Sequence, residues 1–556
     1  MNINKPLLRK VVITLILVTA SLVRLIQLGS VPPHLTPDEA ALGYSAYSIL
    51  KTGRDEHGTL LPFVFKSFGD FKPGLYVYLT VPFIATLGLT EIATRLPGAL
   101  SGILAVFVLF KIMQVVVNDK KSLLPYIVAA VLALSPWHIM LSRGAWEVNV
   151  ALTLTLIGTY YFLRAMEKSS SLIPAAAFFA LTLLCYQGAK LSSVIVILLL
   201  SITHYKKLMQ MPKRQLILSA IVGFVISIPI LVSMFVGQAG RLAVFSVFSA
   251  PRPAAYLEHL LAEGNEQNGS ISYYAFHNEP LNFARGILGR WFNHFSGRFL
   301  FFEGDWQNPR HSAPYVGMLH ILDLPMILIG LFVIVKSRKT PFLRFIALWL
   351  VIAPLPAILS RDQVHAVRSL QMVIPLTVLI GYGVHALVST GKFKSIVGAI
   401  VFFGYILSFV YFADAYFIHL PKLHSKYWEY GYKQAVQSIL PIQSQYSSII
   451  FQQSYSQPYI YFLFYGAYDP QKFQSAINDH FVESKYGDVG QLEQLDNISF
   501  KGIDWQVLRG KTGTLVVGDS ERIPEADSQE GTAFRVISNI KHLDGKNVSL
   551  RIIDIK

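Results

Sequence analysis

Residues 34–44 read HLTPDEAALGY and place two adjacent carboxylates, Asp38 and Glu39, just beyond the first apolar run. Such a pair can act as a general base toward a hydroxyl, or Asp38 can bind a divalent cation. The plainer reading is a helix start, because Thr36 and Pro37 precede acids that suit the first turn. Both roles can hold together. A third carboxylate, Glu147, follows Arg143 and Trp146 in SPWHIMLSRGAWEVN (135–149) and opens another apolar run. An ionisable group at a span end is either interfacial or part of a site.

Cations occupy other segments. Lys72 lies in FGDFKPGLYVYL (68–79), where it can hold a phosphate as a point charge or reach from the membrane interface to water. The stretch RWFNHFSGRFLFFEGDWQNPRHSAPY (290–315) carries His294 and Arg298 on one helix face, then Arg310 and His311 after a turn-like Asn308-Pro309. Cations among aromatics suit a phosphate beside a sugar, although aromatic belts also recruit arginine. SRDQVHAVRSL (360–370) adds Arg361, His365 and Arg368.

These residues need a scaffold, and composition indicates which kind. Of 556 residues, 53% are hydrophobic and only 15% charged. Soluble domains carry about 25% charged residues. Several runs approach the roughly 18 residues that cross a bilayer as a helix. Eleven spans are expected, near 11–28, 94–116, 122–139, 148–165, 172–188, 190–204, 215–236, 315–336, 341–359, 369–389 and 395–413. The first, preceded by LLRK, is read as an uncleaved span because no small-residue cleavage site follows. The net charge of +15 does not signal a nucleic-acid groove, since NDKK, HYKKLMQMPKR, KSRKT and STGKFK all sit in short gaps between spans. That is the distribution of cytoplasmic loops. It puts the N-terminus inside and the loops 29–93, 135–149, 237–314 and 360–368 outside. Every candidate residue falls on these outer loops. YVYLTVPFIATLGL (76–89) is short for a span and is expected to lie in the interface.

Beyond about residue 415 the chain turns polar. SSIIFQ, GTLVVGD, TAFRVIS and SLRIIDI read as strands, whereas KYWEYGYKQAVQSIL and QPYIYFLFYGA read as helices. Residues 416–556 are therefore expected to form a small extracytoplasmic α/β domain, appended to a mainly helical membrane domain, 1–415. The single cysteine, Cys185, excludes an intrachain disulfide.

Carboxylates on two outer loops and cations on three are suited to displacing a lipid-linked phosphate from a sugar. PDEAALGYSAY, FKPGLYVYL and EIATRLPGALSGIL, with SRGAWEVN and NHFSGRF matching more loosely, resemble bacterial membrane glycosyltransferases of the GT-C fold, family 39. That family includes protein O-mannosyltransferases and the lipid A aminoarabinose transferase. The resemblance covers about residues 10–415. It implies a polyprenyl-phosphate-sugar donor and transfer to a protein, lipid or envelope-glycan acceptor at the outer face of the cell membrane, with inversion. It matches Asp38 to the family's catalytic acid, as base or metal-linked residue, with Glu39 its neighbour and Glu147 an acid of the second outer loop. Lys72 matches a phosphate-binding lysine, and His294 and Arg298 a His/Arg pair of the long loop. Arg298, Arg361 and Arg368 are expected at the donor phosphate with Lys72; His294, Arg310, His311, His365 and Tyr76 are expected to bind substrate. The motif's usual second proline is Gly74 here. A divalent cation stays open as cofactor. A transporter or flippase for a lipid-linked glycan is the alternative, although transporters place ionisable groups near the midplane of broken helices.

Overall fold

The computed structural model describes residues 6–117, 119, 121–237, 246–249, 251–337, 340–389, 393–454, 456–483 and 489–556. Parts of NDKK, KSRKT, STGKFK and the 237–314 loop lie outside the described residues. Helices stand at all eleven expected spans: α1 (Pro6–Leu25), α4 (Glu91–Val117), the pair α5 (Leu124–Leu134) and α6 (Pro136–Ser142), α7 (Glu147–Ala165), α8 (Leu172–Leu183), α9 (Ala189–Thr203), α10 (Lys213–Phe235), α11 (Asp323–Ser337), α12 (Pro341–Ile352), α13 (Val373–Ser389) and α14 (Lys394–Asp414). Two more, α2 (Pro37–Thr52) and α3 (Leu75–Leu87), lie between the first two spans.

Six helical stretches are long and apolar enough to cross a membrane singly: 6–25, 91–117, 213–235, 341–358, 370–389 and 394–423. The bent pair α5–α6 makes a seventh. The 58° bend falls where Ser135 caps α6 ahead of Pro136, a residue that cannot continue the hydrogen-bond ladder. The expected span 315–336 is shorter than supposed, since α11 begins only at Asp323. Exposed apolar side chains such as Ile217, Phe224, Phe402 and Leu407 cover α10 and α14, as helices facing lipid require. The protein is a multi-pass membrane protein.

Residues beyond α14 build a six-stranded sheet. Its strands are β3 (Ser448–Gln452), β4 (Gln494–Leu495), β5 (Ile498–Lys501), β6 (Thr514–Gly518), β7 (Phe534–Lys541) and β8 (Val548–Ile555), after a separate hairpin, β1 (Val64–Ser67) and β2 (Asp70–Pro73). The order is β4-β5-β3-β6-β8-β7, with β3 parallel to both neighbours and the remaining pairs antiparallel. Strand β6 is buried throughout, as a central strand should be. Helices α15 (Tyr432–Ile439), α16 (Pro458–Tyr465) and α17 (Pro470–His480) accompany the sheet.

The sheet does not pack as a separate body. Ala40, Ala41 and Tyr44 of α2 share a core with Tyr459, Phe464, Phe473 and Leu515. Tyr44 donates to the Tyr468 carbonyl at 3.2 Å, Tyr461 to the Leu35 carbonyl at 3.2 Å, and Lys433 pairs with Glu91 at 2.6 Å. The helical stretch also runs on to Leu423. A boundary at 415 therefore cuts a helix, and the C-terminal sheet is built onto the segment between the first two spans.

Candidate functional site

Local chain physics fixes the acid pair. Thr36 accepts from the Glu39 amide and Glu39 Oε2 accepts from the Thr36 amide at 2.9 Å, a complete capping box. Glu39 is otherwise consumed by Arg95, whose Nε reaches Oε1 at 2.9 Å and Nη2 reaches Oε2 at 3.2 Å, and by the Ala145 amide at 2.9 Å. Arg95 also donates to the carbonyls of Leu28, Pro32 and His34. Both side chains are fully buried. Glu39 is thus a clamp on the chain entering α2, not a base: four N–H donors leave its carboxylate no room to accept a proton from substrate.

Asp38, one residue earlier, is exposed and ion-paired with Lys72 of β2. The hairpin β1–β2 presents Lys72, with Phe65 opposite it in register. Gly74 follows because the Phe65 ring lies where its Cβ would be, 2.4 Å away. The exchange of the family's second proline for glycine therefore has a packing reason. Glu147 opens α7, just ahead of the 148–165 span, and completes the cluster. Burial pushes its carboxyl up to about 7 against the pull of Lys72, with Asp38 and Glu39 adding to the rise. Burial works against the Lys72 charge, but Asp38 and Glu147 outweigh it and hold its ammonium above the ordinary lysine value. Two carboxylates and one ammonium thus share a field at the N-terminal ends of α2 and α7. The ammonium stands beside Asp38 where a divalent cation was held open, and a carboxylate already neutralised this way is a poor cation ligand.

The remaining expected residues divide. Tyr76 is fully buried and donates to the Thr94 carbonyl at 3.0 Å; it ties α3 to α4 and cannot meet substrate. His294 is equally buried, one nitrogen on the Arg290 carbonyl at 2.7 Å and the other accepting from the His365 amide at 3.2 Å. It positions the 360–368 loop and does not bind substrate. Arg298 is exposed, with its fork engaged by Glu303 at 2.8 and 2.6 Å and its guanidinium 4.4 Å from the Trp306 ring. Arg361 is exposed and its carbonyl accepts from Arg290.

Arg310, His311, His365 and Arg368 form a second group. Arg368 pairs with Asp362 at 2.7 Å, and its amide donates to His365 Nδ1 at 3.3 Å. Arg310 lies in the field of Glu429. His311 meets Asp305 at 2.9 Å and the His365 ring at 5.0 Å. Trp146, the neighbour of Glu147 in sequence, sets its ring 5.2 Å from His311. Tyr186 feels both Arg368 and Glu147.

Sequence reasoning missed Asp305, which ties this group together, and Arg95, which builds the clamp. Arg95 was detectable as a charge within the first turns of an otherwise apolar span. Asp305 carried no such signal. Among the described residues, Asp305, His311 and His365 are a group able to offer a metal three ligand atoms, all within 4.8 Å of one another.

This is the GT-C fold of membrane glycosyltransferases. Residues 72–232, a stretch beginning at Lys72, match the family model described as dolichyl-phosphate-mannose-protein mannosyltransferase. The crystal structure of ArnT from Cupriavidus metallidurans in the apo state is similar over 97% of both chains, with TM-score 0.57 and 12% identity. The same protein bound to undecaprenyl phosphate gives TM-score 0.54, again at 12% identity over 97% of both chains. An Archaeoglobus fulgidus oligosaccharyltransferase, tethered to an acceptor peptide containing an NVT sequon, aligns over 93% of this chain and 70% of its own, with TM-score 0.53 and 11% identity. At such identities the likeness is one of fold. Comparison with the curated proteins gives no match.

Proposed function

We propose that this protein transfers a sugar from a polyprenyl-phosphate donor to a hydroxyl acceptor, at the outer face of the cytoplasmic membrane. The observation that carries the reading is the Asp38–Lys72 ion pair with Glu147 in its field, at one end of spans whose basic gaps lie at the other. The ArnT fold match supports the donor class, since that protein binds undecaprenyl phosphate.

The chemistry follows from the charges. An incoming donor phosphate replaces Asp38 as the partner of the Lys72 ammonium, and the Asp38 carboxylate accepts the acceptor hydroxyl's proton. The acceptor oxygen bonds to the anomeric carbon as the bond from that carbon to the phosphate oxygen breaks. The electron pair leaves on polyprenyl phosphate, and Lys72, with Arg368 and Arg310, balances its charge. Attack opposite the leaving group inverts the anomeric carbon. Glu147, held neutral or ionised near neutral pH, tunes the proton affinity of Asp38 across the Lys72 charge.

The reading is tested by binding. The purified chain should bind undecaprenyl phosphate, and Lys72→Met should weaken that binding by about tenfold or more, the loss of one charged hydrogen bond of about 1.5–3 kcal/mol. Unchanged affinity in Lys72→Met would remove Lys72 from the donor site.

A further inference from the structure

The transfer chemistry leaves Asp305, His311 and His365 without a part. We propose that these three side chains form a binding site for a divalent transition ion of the zinc class, beside the Trp146 ring.

The geometry carries the argument. One ligand atom from each residue lies within 4.8 Å of the other two. Tetrahedral zinc keeps its ligand atoms roughly 3.3 Å apart, so the group is open by no more than about 1.5 Å. Asp305 and His311 are buried, and His365 is partly so. The scaffold behind them is braced. Asp305 Oδ1 accepts from the Asn308 amide at 3.0 Å and from its side-chain nitrogen at 3.1 Å, whereas Oδ2 accepts from the Ala366 amide at 2.8 Å. One carboxylate thereby ties the 305–311 turn to the 360–368 loop, and the two imidazoles come from those two segments. Asp305 Oδ2 and His311 Nδ1 already lie 2.9 Å apart, and a bound ion would take the place of the proton between them. His294 supports the other ligand by accepting the His365 amide at 3.2 Å.

Ligand type selects the ion. Two imidazoles with one carboxylate suit zinc and its transition-metal neighbours, whereas magnesium and calcium prefer oxygen throughout. Three protein ligands leave a fourth position open. Arg310 and Arg368 stand near His365, so the open position would favour an anion, with the oxyanion of a phosphate or pyrophosphate group as its chemical class. The ion site stands whether or not the chain transfers sugars, because it rests on side chains that the transfer does not use.

The test uses the full chain in detergent, stripped with chelator and dialysed against zinc chloride, with magnesium chloride as a second arm. About one zinc per chain should remain, and magnesium should not replace it. X-ray absorption of the zinc-loaded wild type should show a nitrogen-rich shell containing two imidazoles. The His311→Ala and His365→Ala variants should each bind zinc at least tenfold more weakly. Asp305→Asn should likewise bind zinc at least tenfold more weakly, and the exposed His259→Ala should lose nothing. Wild type retaining no stoichiometric zinc, or an oxygen-only shell, overturns the proposal without reference to any variant's folding. So does full zinc retention by a His311→Ala/His365→Ala double variant.

Discussion

Asp38 and Glu39 are neighbours with opposite fates, and helix geometry explains the split. Successive residues in the first turn point about 100° apart, so when Glu39 turns inward to Arg95 and Ala145, Asp38 must face out toward Lys72. The acid pair and its capping role were legible in the residues themselves, because Thr36-Pro37-Asp38-Glu39 states a helix start locally. The choice between the two acids was not, since Arg95 lies far along the chain and only packing brings it to Glu39. The same limit separates the histidines. His294 and His311 look alike in sequence, yet one is spent on backbone groups and the other meets Asp305. Glu147 supplies a test at this scale. Its carboxyl, raised to about 7 by burial, is protonated below that pH, which removes a negative charge facing Lys72 and Asp38. A neutral Glu147 leaves the Lys72 charge to Asp38 alone, lowers the Asp38 proton affinity and makes it a weaker base. Turnover should therefore rise as pH passes upward through about 7, and Glu147→Gln should abolish that limb while leaving a reduced rate at high pH. A pH–rate profile of both proteins checks it.

At the scale of elements, period and length fixed more than position did. Long apolar runs set helices at every expected span, and the alternating runs SSIIFQ, GTLVVGD, TAFRVIS and SLRIIDI coincide with β3, β6, β7 and β8. The hairpin that carries Lys72 was not anticipated, because VFKSFGDFKP mixes aromatic and charged residues without a clean alternation and its turn depends on Gly69 at φ 75°. Helix α2 is the pivot between membrane and sheet. At Gly43 an added Cβ would come within 2.5 Å of the Phe464 ring and 2.6 Å of Thr94 Oγ1, so α2 meets α16 and α4 at one point. Gly43→Val should loosen that junction and cost about 1–3 kcal/mol, the usual range for overpacking. Thermal unfolding in detergent measures the loss, and an unchanged midpoint would show that the sheet does not depend on this contact.

The whole molecule joins a membrane bundle to a sheet through one shared core, so the sheet stands on the same side of the membrane as Asp38. From the charge placement we propose that this side is the outer one. With Cys185 replaced by alanine, a cysteine introduced at the exposed Ser520 should react with an impermeant maleimide added to intact cells; reaction only after lysis would reverse the orientation. The sheet's attachment could not be read from sequence, because a change from apolar to polar composition marks a new environment and says nothing about which loop the new layer packs on. The central claim is that Asp38 moves the acceptor's proton while a lipid-linked phosphate departs. It is tested most directly by supplying the purified protein with polyprenyl-phosphate sugars and measuring the release of polyprenyl phosphate from wild type and Asp38→Asn. The account predicts at least a 100-fold lower rate in the variant, the scale of a lost general base, and equal rates in the two proteins would contradict it.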